Sequence, residues 1–303
     1  MDRWFETERY QALVRAARAM DHVAQARIID AALSETEGAE KAFWLLLNRQ
    51  RRWSGTLRRN DGADQVWADL REILLLAPDD PENRSSVVRQ ALMAYYYTER
   101  KDLWSEFFPL IRRDLGPVLC EGRDHHVVAM LRLLQRRWRT ALRCSNRSLA
   151  VFQAAPPAVL NTQRGRLVFF HAVRATAAAA CGHLQLASAD VQQATEVDAE
   201  FARGYIEPYP LVFAQAEVAL ARGDFRAAQA ALQEGIARSA VSQYKPRPAD
   251  KVKFDLLAAR IARAEGNLTG FHNFCNRALA NCHNFDLRMS AVTVRAVIAG
   301  APY

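Results

Sequence analysis

Apolar and polar residues follow a helical pattern along this chain, and the helical segments recur in pairs. The clearest pair runs from Ala214 to Ala237, where a tight turn at Gly223–Asp224 separates two helices. A second pair spans Leu256 to Ala280, with Gly266–Asn267 at the same place. A third spans Ala172 to Val197 and turns at Cys181–Gly182–His183. Glycine, Asn and Asp suit such turns because the chain there can adopt positive φ. Alternating strand patterns are absent, while Ala, Leu, Arg and Gln, all good helix formers, dominate.

The apolar residue two positions after the turn glycine sets the register at Leu184, Phe225 and Leu268. Weaker copies upstream place Val23, Ala63, Leu103 and Trp138 in the same slot, with successive spacings of 40, 40, 35, 46, 41 and 43 residues. Three residues further on stand Ala26, Val66, Glu106, Ala141, Ala187, Ala228 and Phe271. Small or apolar side chains there allow two antiparallel helices to pack closely; Glu106 departs from the rule. Between the pairs lie six breaks: Ser34–Glu40, Ala77–Ser85, Leu115–Asp124, Ala154–Gln163, Asp198–Pro210 and Ser239–Asp250. Nine of the eleven prolines fall in them, where they stop a helix without damaging its interior. Pro109 falls inside a second helix and predicts a kink there. The pattern predicts seven hairpins, approximately 8–33, 41–76, 85–114, 124–153, 164–197, 210–238 and 251–283, then a capping helix at 285–299. One continuous domain over 1–303 follows.

The best unit resembles the tetratricopeptide repeat, with Ala216, Gly223, Phe225, Ala228, Leu232 and Gly235 at the family's small, turn, aromatic and packing positions. The resemblance implies an all-α fold, a right-handed superhelix or α-solenoid of about seven antiparallel helical hairpins. The period of about 41 residues exceeds the plain repeat's 34. It is similar to the long-repeat variants in maltose-activator-type transcription factors and in peptide-receptor regulators of Gram-positive bacteria. Those regulators carry a DNA-binding or ATPase module beside the repeats. Here no G-x-x-x-x-G-K-[ST] loop exists, and residues 1–60 read as one hairpin plus an Arg-rich helix. The resemblance therefore implies a sensor part or a stand-alone adaptor.

Composition narrows the class further. Half the residues are apolar and 24% are charged, which excludes a disordered chain. The longest stretch without Asp, Glu, Lys or Arg, Ser148–Gln163, is too short for a membrane-spanning helix. The N-terminus MDRWFETERY is charged from its second residue, so no secretory leader is expected. Five cysteines in no tight framework predict reduced thiols and a cytoplasmic location. The formal net charge of +8 is uneven: successive blocks ending at 60, 120, 180, 240 and 303 carry +3, −4, +8, −4 and +5. The middle block holds ten Arg against Glu121 and Asp124.

Stacked hairpins present their first helices on a concave surface, the usual site for a peptide or a helix. Counting back from each turn by the family's groove positions assigns Arg15 and Arg18 in the first unit, Asn48, Arg51, Arg58 and Arg59 in the second, and Tyr95 and Thr98 in the third. The fourth offers His126 and Met130, the fifth Thr176, the sixth Phe213 and Glu217, and the seventh Arg260 and Arg263. Seven arginines suggest a partner with an acidic segment or a free C-terminal carboxylate, which guanidinium forks grip in bidentate fashion. Asn273, Asn276, Asn281 and Asn284 fall on an outward second helix, away from such a groove. The alternative partner is nucleic acid. Arg132, Arg136, Arg139, Arg143 and Arg147 would make one stripe for phosphates on an unbroken helix, but a predicted turn near Arg136–Trp138 breaks it. Self-association into a homo-oligomer is also compatible with the pattern.

Catalysis and metal binding find little support. His272, Cys275, Cys282 and His283 span ~16 Å of helix, too far for one zinc with bonds of ~2.0–2.3 Å. His125–His126 reads as a helix start with Asp124 as its cap. Asp79–Asp80–Pro81–Glu82–Asn83 reads as a loop entering a helix. No G-x-S-x-G, Gly-rich phosphate loop or H-E-x-x-H is present. The expectation is a non-catalytic protein- or peptide-binding module without a cofactor.

Overall fold

The computed structural model describes residues 6–19, 21–56, 62–78, 81–100, 122–155, 164–201, 207–242 and 245–300. Among them are fourteen α-helices and no strand. In chain order these are α1 (Glu8–Arg18), α2 (His22–Glu35), α3 (Gly38–Thr56), α4 (Gly62–Leu76), α5 (Pro81–Thr98), α6 (Gly122–Leu134), α7 (Trp138–Gln153), α8 (Leu167–Ala180), α9 (Leu184–Ala199), α10 (Tyr209–Ala221), α11 (Phe225–Val241), α12 (Pro248–Ala264), α13 (Leu268–Asn284) and α14 (Arg288–Ile298).

One turn, repeated, makes the hairpins. At five helix ends a residue takes positive φ: Arg136 (58°), Gly182 (80°), Gly223 (76°), Gly266 (75°) and Asp286 (50°). The next backbone N–H then reaches five residues back. Arg137, His183, Asp224, Asn267 and Leu287 donate to the carbonyls of Arg132, Ala178, Ala219, Ala262 and Cys282 at 2.8–2.9 Å. This satisfies carbonyls that the helix end would otherwise orphan. The same residue starts the following helix. Asp224 Oδ1 accepts from Ala227 N at 2.9 Å and Asn267 Oδ1 from Gly270 N at 2.8 Å, the N-caps implied by the Gly-Asp and Gly-Asn pairs.

The described residues fall into two compact units. The first holds the residues before Tyr96 together with Arg100; the second holds Tyr96–Glu99 and the helices from Gly122 onward. In the first unit, α1–α2 packs on α3 through Tyr10, Leu13, Ile29, Phe43 and Trp44. In the second, four hairpins pair α6 with α7, α8 with α9, α10 with α11 and α12 with α13. Their first helices stack in a row, α6 on α8, α8 on α10 and α10 on α12, and α14 closes the row against α12 and α13.

Small residues set the spacing. Ala172, Ala175, Ala178, Ala187 and Ala214 are buried where α8 meets α9 and α10, which lets the helix axes approach to about 8 Å. Tyr209, Phe213, Leu232, Leu257 and Ile261 fill the space among α10, α11 and α12. Gly235 is the tightest point: a Cβ there would lie 2.6 Å from Val212 Cγ1 and 3.1 Å from Phe254 Cε1.

Burial sorts the register positions, and one capping expectation needs correction. The apolar residue that sets the register lies at the start of its helix and outside the core: Val23 is 68% and Leu268 62% exposed, and Trp138, Leu184 and Phe225 are half-buried. The packing role belongs three positions on, where Ala141, Ala187 and Ala228 are fully buried. Asp124 is not a cap, because α6 already begins at Gly122. The second helix of the third hairpin, with Leu103, Glu106 and Pro109, lies outside the described residues, as does Asp79–Asp80.

Candidate functional site

The row of first helices in the second unit faces a groove. Met130 from α6, Thr176 from α8, Phe213 and Glu217 from α10, Lys253, Leu256 and Leu257 from α12, and Thr293 from α14 line it, together with Tyr96 and Tyr97. The enclosed part amounts to about 100 Å³. Small-molecule pockets usually hold ~300–1,000 Å³, so this one accommodates a side chain or two rather than a whole metabolite.

Its polar chemistry is laid over aromatic rings. The Lys253 ammonium lies 4.3 Å from the Tyr96 ring centroid and 5.5 Å from that of Phe213, and donates to the Tyr96 hydroxyl. Cation–π contacts of this kind hold the ammonium in place. Arg247 sits 3.4 Å over the Tyr97 ring, donates from Nε to Asp250 at 2.8 Å, and pairs with Glu207. Burial pushes the Tyr97 hydroxyl well above its ordinary range, so it stays neutral. Glu99, at φ 53°, accepts from the Ser290 N–H at 3.1 Å, and also from the Met289 N–H and the Ser290 hydroxyl. Its carboxylate thereby caps the N-terminus of α14, where negative charge is favoured. Burial raises its pKa, against the pull of those hydrogen bonds.

Of the residues assigned to a groove from sequence, Met130, Thr176, Phe213 and Glu217 lie together here. Arg260 and Arg263, the two assigned arginines of this unit, are engaged within the fold. Both carboxylate oxygens of Glu217 accept from Arg260 Nη1 at 2.6 Å, so this guanidinium bridges α12 to α10. Arg263 donates to the Val297 carbonyl at 3.1 Å and stacks over Phe271, tethering α14. His126 is buried against Phe170, with ring centroids 4.5 Å apart. Burial, reinforced by Arg166, pushes its pKa down to about 3, so it packs as a neutral ring. Thr98 is half-buried and absent from the groove lining. Arg15, Arg18, Asn48 and Tyr95 belong to the first unit; Arg15 and Arg18 are exposed in the last turn of α1, and Asn48 Oδ1 is buried without a hydrogen bond. The Arg51 side chain, Arg58 and Arg59 lie outside the described residues.

Lys253, Tyr96 and Tyr97 were not assigned from sequence. A signal existed for Lys253: with Leu256, Leu257 and Arg260 it forms an i, i+3, i+4, i+7 face, two turns before Arg260. Cys275 and Cys282 are buried, whereas His272 and His283 are exposed. The described residues contain no group of three or more His, Cys, Asp or Glu able to hold a metal ion, and no helix long and apolar enough to cross a membrane.

No family model and no curated protein matches the chain. Among solved structures it is similar to PilW, a widely conserved type IV pilus biogenesis factor, at 18% identity over 77% of this chain and 92% of that chain, with a TM-score of 0.45. Stacked antiparallel hairpins joined by one repeated turn give this protein an all-α helical-repeat fold.

Proposed function

We propose that this protein is a non-catalytic, protein- or peptide-binding module of the long-repeat tetratricopeptide type. Its ligand enters the groove along α6, α8, α10, α12 and α14. The observation that carries this reading is the groove lining itself: apolar Met130, Phe213 and Leu257 beside one ammonium, Lys253, in a space sized for single side chains. A segment bearing an apolar residue and a carboxylate, from an acidic stretch or a chain terminus, matches that lining. Lys253 takes the role that the sequence assigns to arginine. The resemblance to peptide-receptor and maltose-activator-type regulators extends the reading to ligand sensing. The four described cysteines are free thiols, which supports work in a reducing cytoplasm.

Photo-crosslinking residues introduced at Thr176 in the groove, and at the exposed Ile236 on α11, test the reading in cells. A discrete protein or peptide adduct at 176 and none at 236 is expected. Equal capture at both positions, or capture at 236 alone, would remove the groove as the binding face.

A further inference from the structure

Residues 125–189 contain nine arginines and no Asp, Glu or Lys. Elsewhere in the second unit several arginines meet acids: Arg238 with Asp198, Arg247 with Glu207 and Asp250, Arg260 with Glu217, and Arg277 with Asp255. Within the acid-free stretch, Arg164 reaches forward to Glu200 and Arg174 to Asp190. Arg139, Arg143 and Arg147 on α7 form no ion pair among the described residues, and all three are exposed.

Their placement is ordered. They stand four residues apart, so one face of α7 carries a guanidinium every ~6 Å over ~12 Å. The turn at Gln135–Arg136 breaks the longer stripe that the sequence suggests, then folds its other half back. Arg132, at the end of α6, returns beside Cys144. Burial raises that thiol's pKa, while Arg132, Arg147 and Arg143 all act to lower it, so cations from both helices of the hairpin lie within electrostatic reach of it. Arg147 likewise acts on His125 across the hairpin, and Arg139 on Cys181 at the next turn.

We infer that the exposed face of the α6–α7 hairpin is a second interaction surface, distinct from the groove, that docks an acidic helix of a protein partner. A helix with Glu or Asp at i, i+4 and i+8 presents carboxylates at the same ~6 Å interval, and each guanidinium fork suits one carboxylate. The face carries no exposed aromatic ring on which bases could stack; Trp138 is half-buried and Phe152 buried. Three to four cations over ~12 Å also make a short track for a duplex, which gains affinity by neutralising many phosphates.

Fluorescence anisotropy with three probes of equal net charge tests this: a helical peptide with Glu at i, i+4 and i+8, the same composition with scrambled spacing, and a short duplex DNA. The ordered peptide is expected to bind best and to weaken with added salt. R139E/R143E/R147E is expected to lose about tenfold or more of that affinity while its helical circular dichroism and melting temperature stay unchanged. Tighter binding of DNA overturns the choice of partner. Equal affinity for both peptides, or an unchanged affinity in the triple variant, overturns the surface itself.

Discussion

The α6–α7 and α12–α13 hairpins share one turn geometry and differ in what their arginines do. In and around α12–α13, Arg247 and Arg260 sit over half-buried or buried carboxylates and join one hairpin to the next, while the exposed Arg277 pairs with buried Asp255 within its own hairpin. On α7 Arg139, Arg143 and Arg147 are exposed and form no ion pair among the described residues. A buried pair holds the stack together, because removing either partner strands an uncompensated charge. An exposed, unmatched cation does little for folding and remains available to a partner. Charge alone therefore does not identify a binding face; neighbouring acids do.

The largest expected effect separates these two classes. Arg247→Ala leaves Glu207 and Asp250 without their cation and is expected to lower stability by about 3 kcal/mol or more. Arg143→Ala should change it by no more than about 0.5 kcal/mol. Thermal or urea melts of both variants check this, and similar losses would dissolve the distinction. Next comes packing. Gly235→Ala forces a methyl against Val212 and Phe254 and is expected to destabilise by about 1–3 kcal/mol, read as a lower urea midpoint.

The turns come after packing. Gly223→Val places a β-branched residue at φ 76° and should lose roughly 1–2 kcal/mol. Arg136→Gly relieves a non-glycine residue at φ 58° and should gain up to about 1 kcal/mol. Opposite signs in the two melts would show that both hairpins use the same turn. The smallest effect lies in a pH profile. Burial pushes the Asp190 carboxyl up, but hydrogen bonds from His171 at 2.7 Å and from Arg174 outweigh it and depress the pKa. That stabilisation is present above the unfolded value of ~3.9 and disappears as pH falls through the lower folded value. Asp190→Asn should flatten the stability curve in that acid window, as followed by circular dichroism.

Much of the fold was legible because the turn writes itself into the sequence. Gly182, Gly223 and Gly266 each stand where positive φ is required, with Asp224 and Asn267 capping the next helix. Arg136 and Asp286 make the same turn without glycine, so only the spacing could locate them. The groove was half legible. Met130, Thr176, Phe213 and Glu217 follow from helical phase, whereas Tyr96 and Lys253 meet across 157 residues, a pairing no local pattern records. Arginine was overcounted for a related reason: Arg260 lies on the inward face, but Glu217 on the neighbouring helix neutralises it. Composition shows a guanidinium, and only the fold shows its partner.

A scan replacing Arg139, Arg143, Arg147, Arg247 and Arg260 singly by Gln, with melting temperature and affinity for the ordered Glu peptide read side by side, tests this division most directly. The expected result is a clean split. Arg247 and Arg260 variants melt earlier and bind the peptide as before, while the α7 variants melt normally and bind more weakly. Variants of α7 that melt as early as the Arg247 variant, with peptide affinity intact, would contradict it.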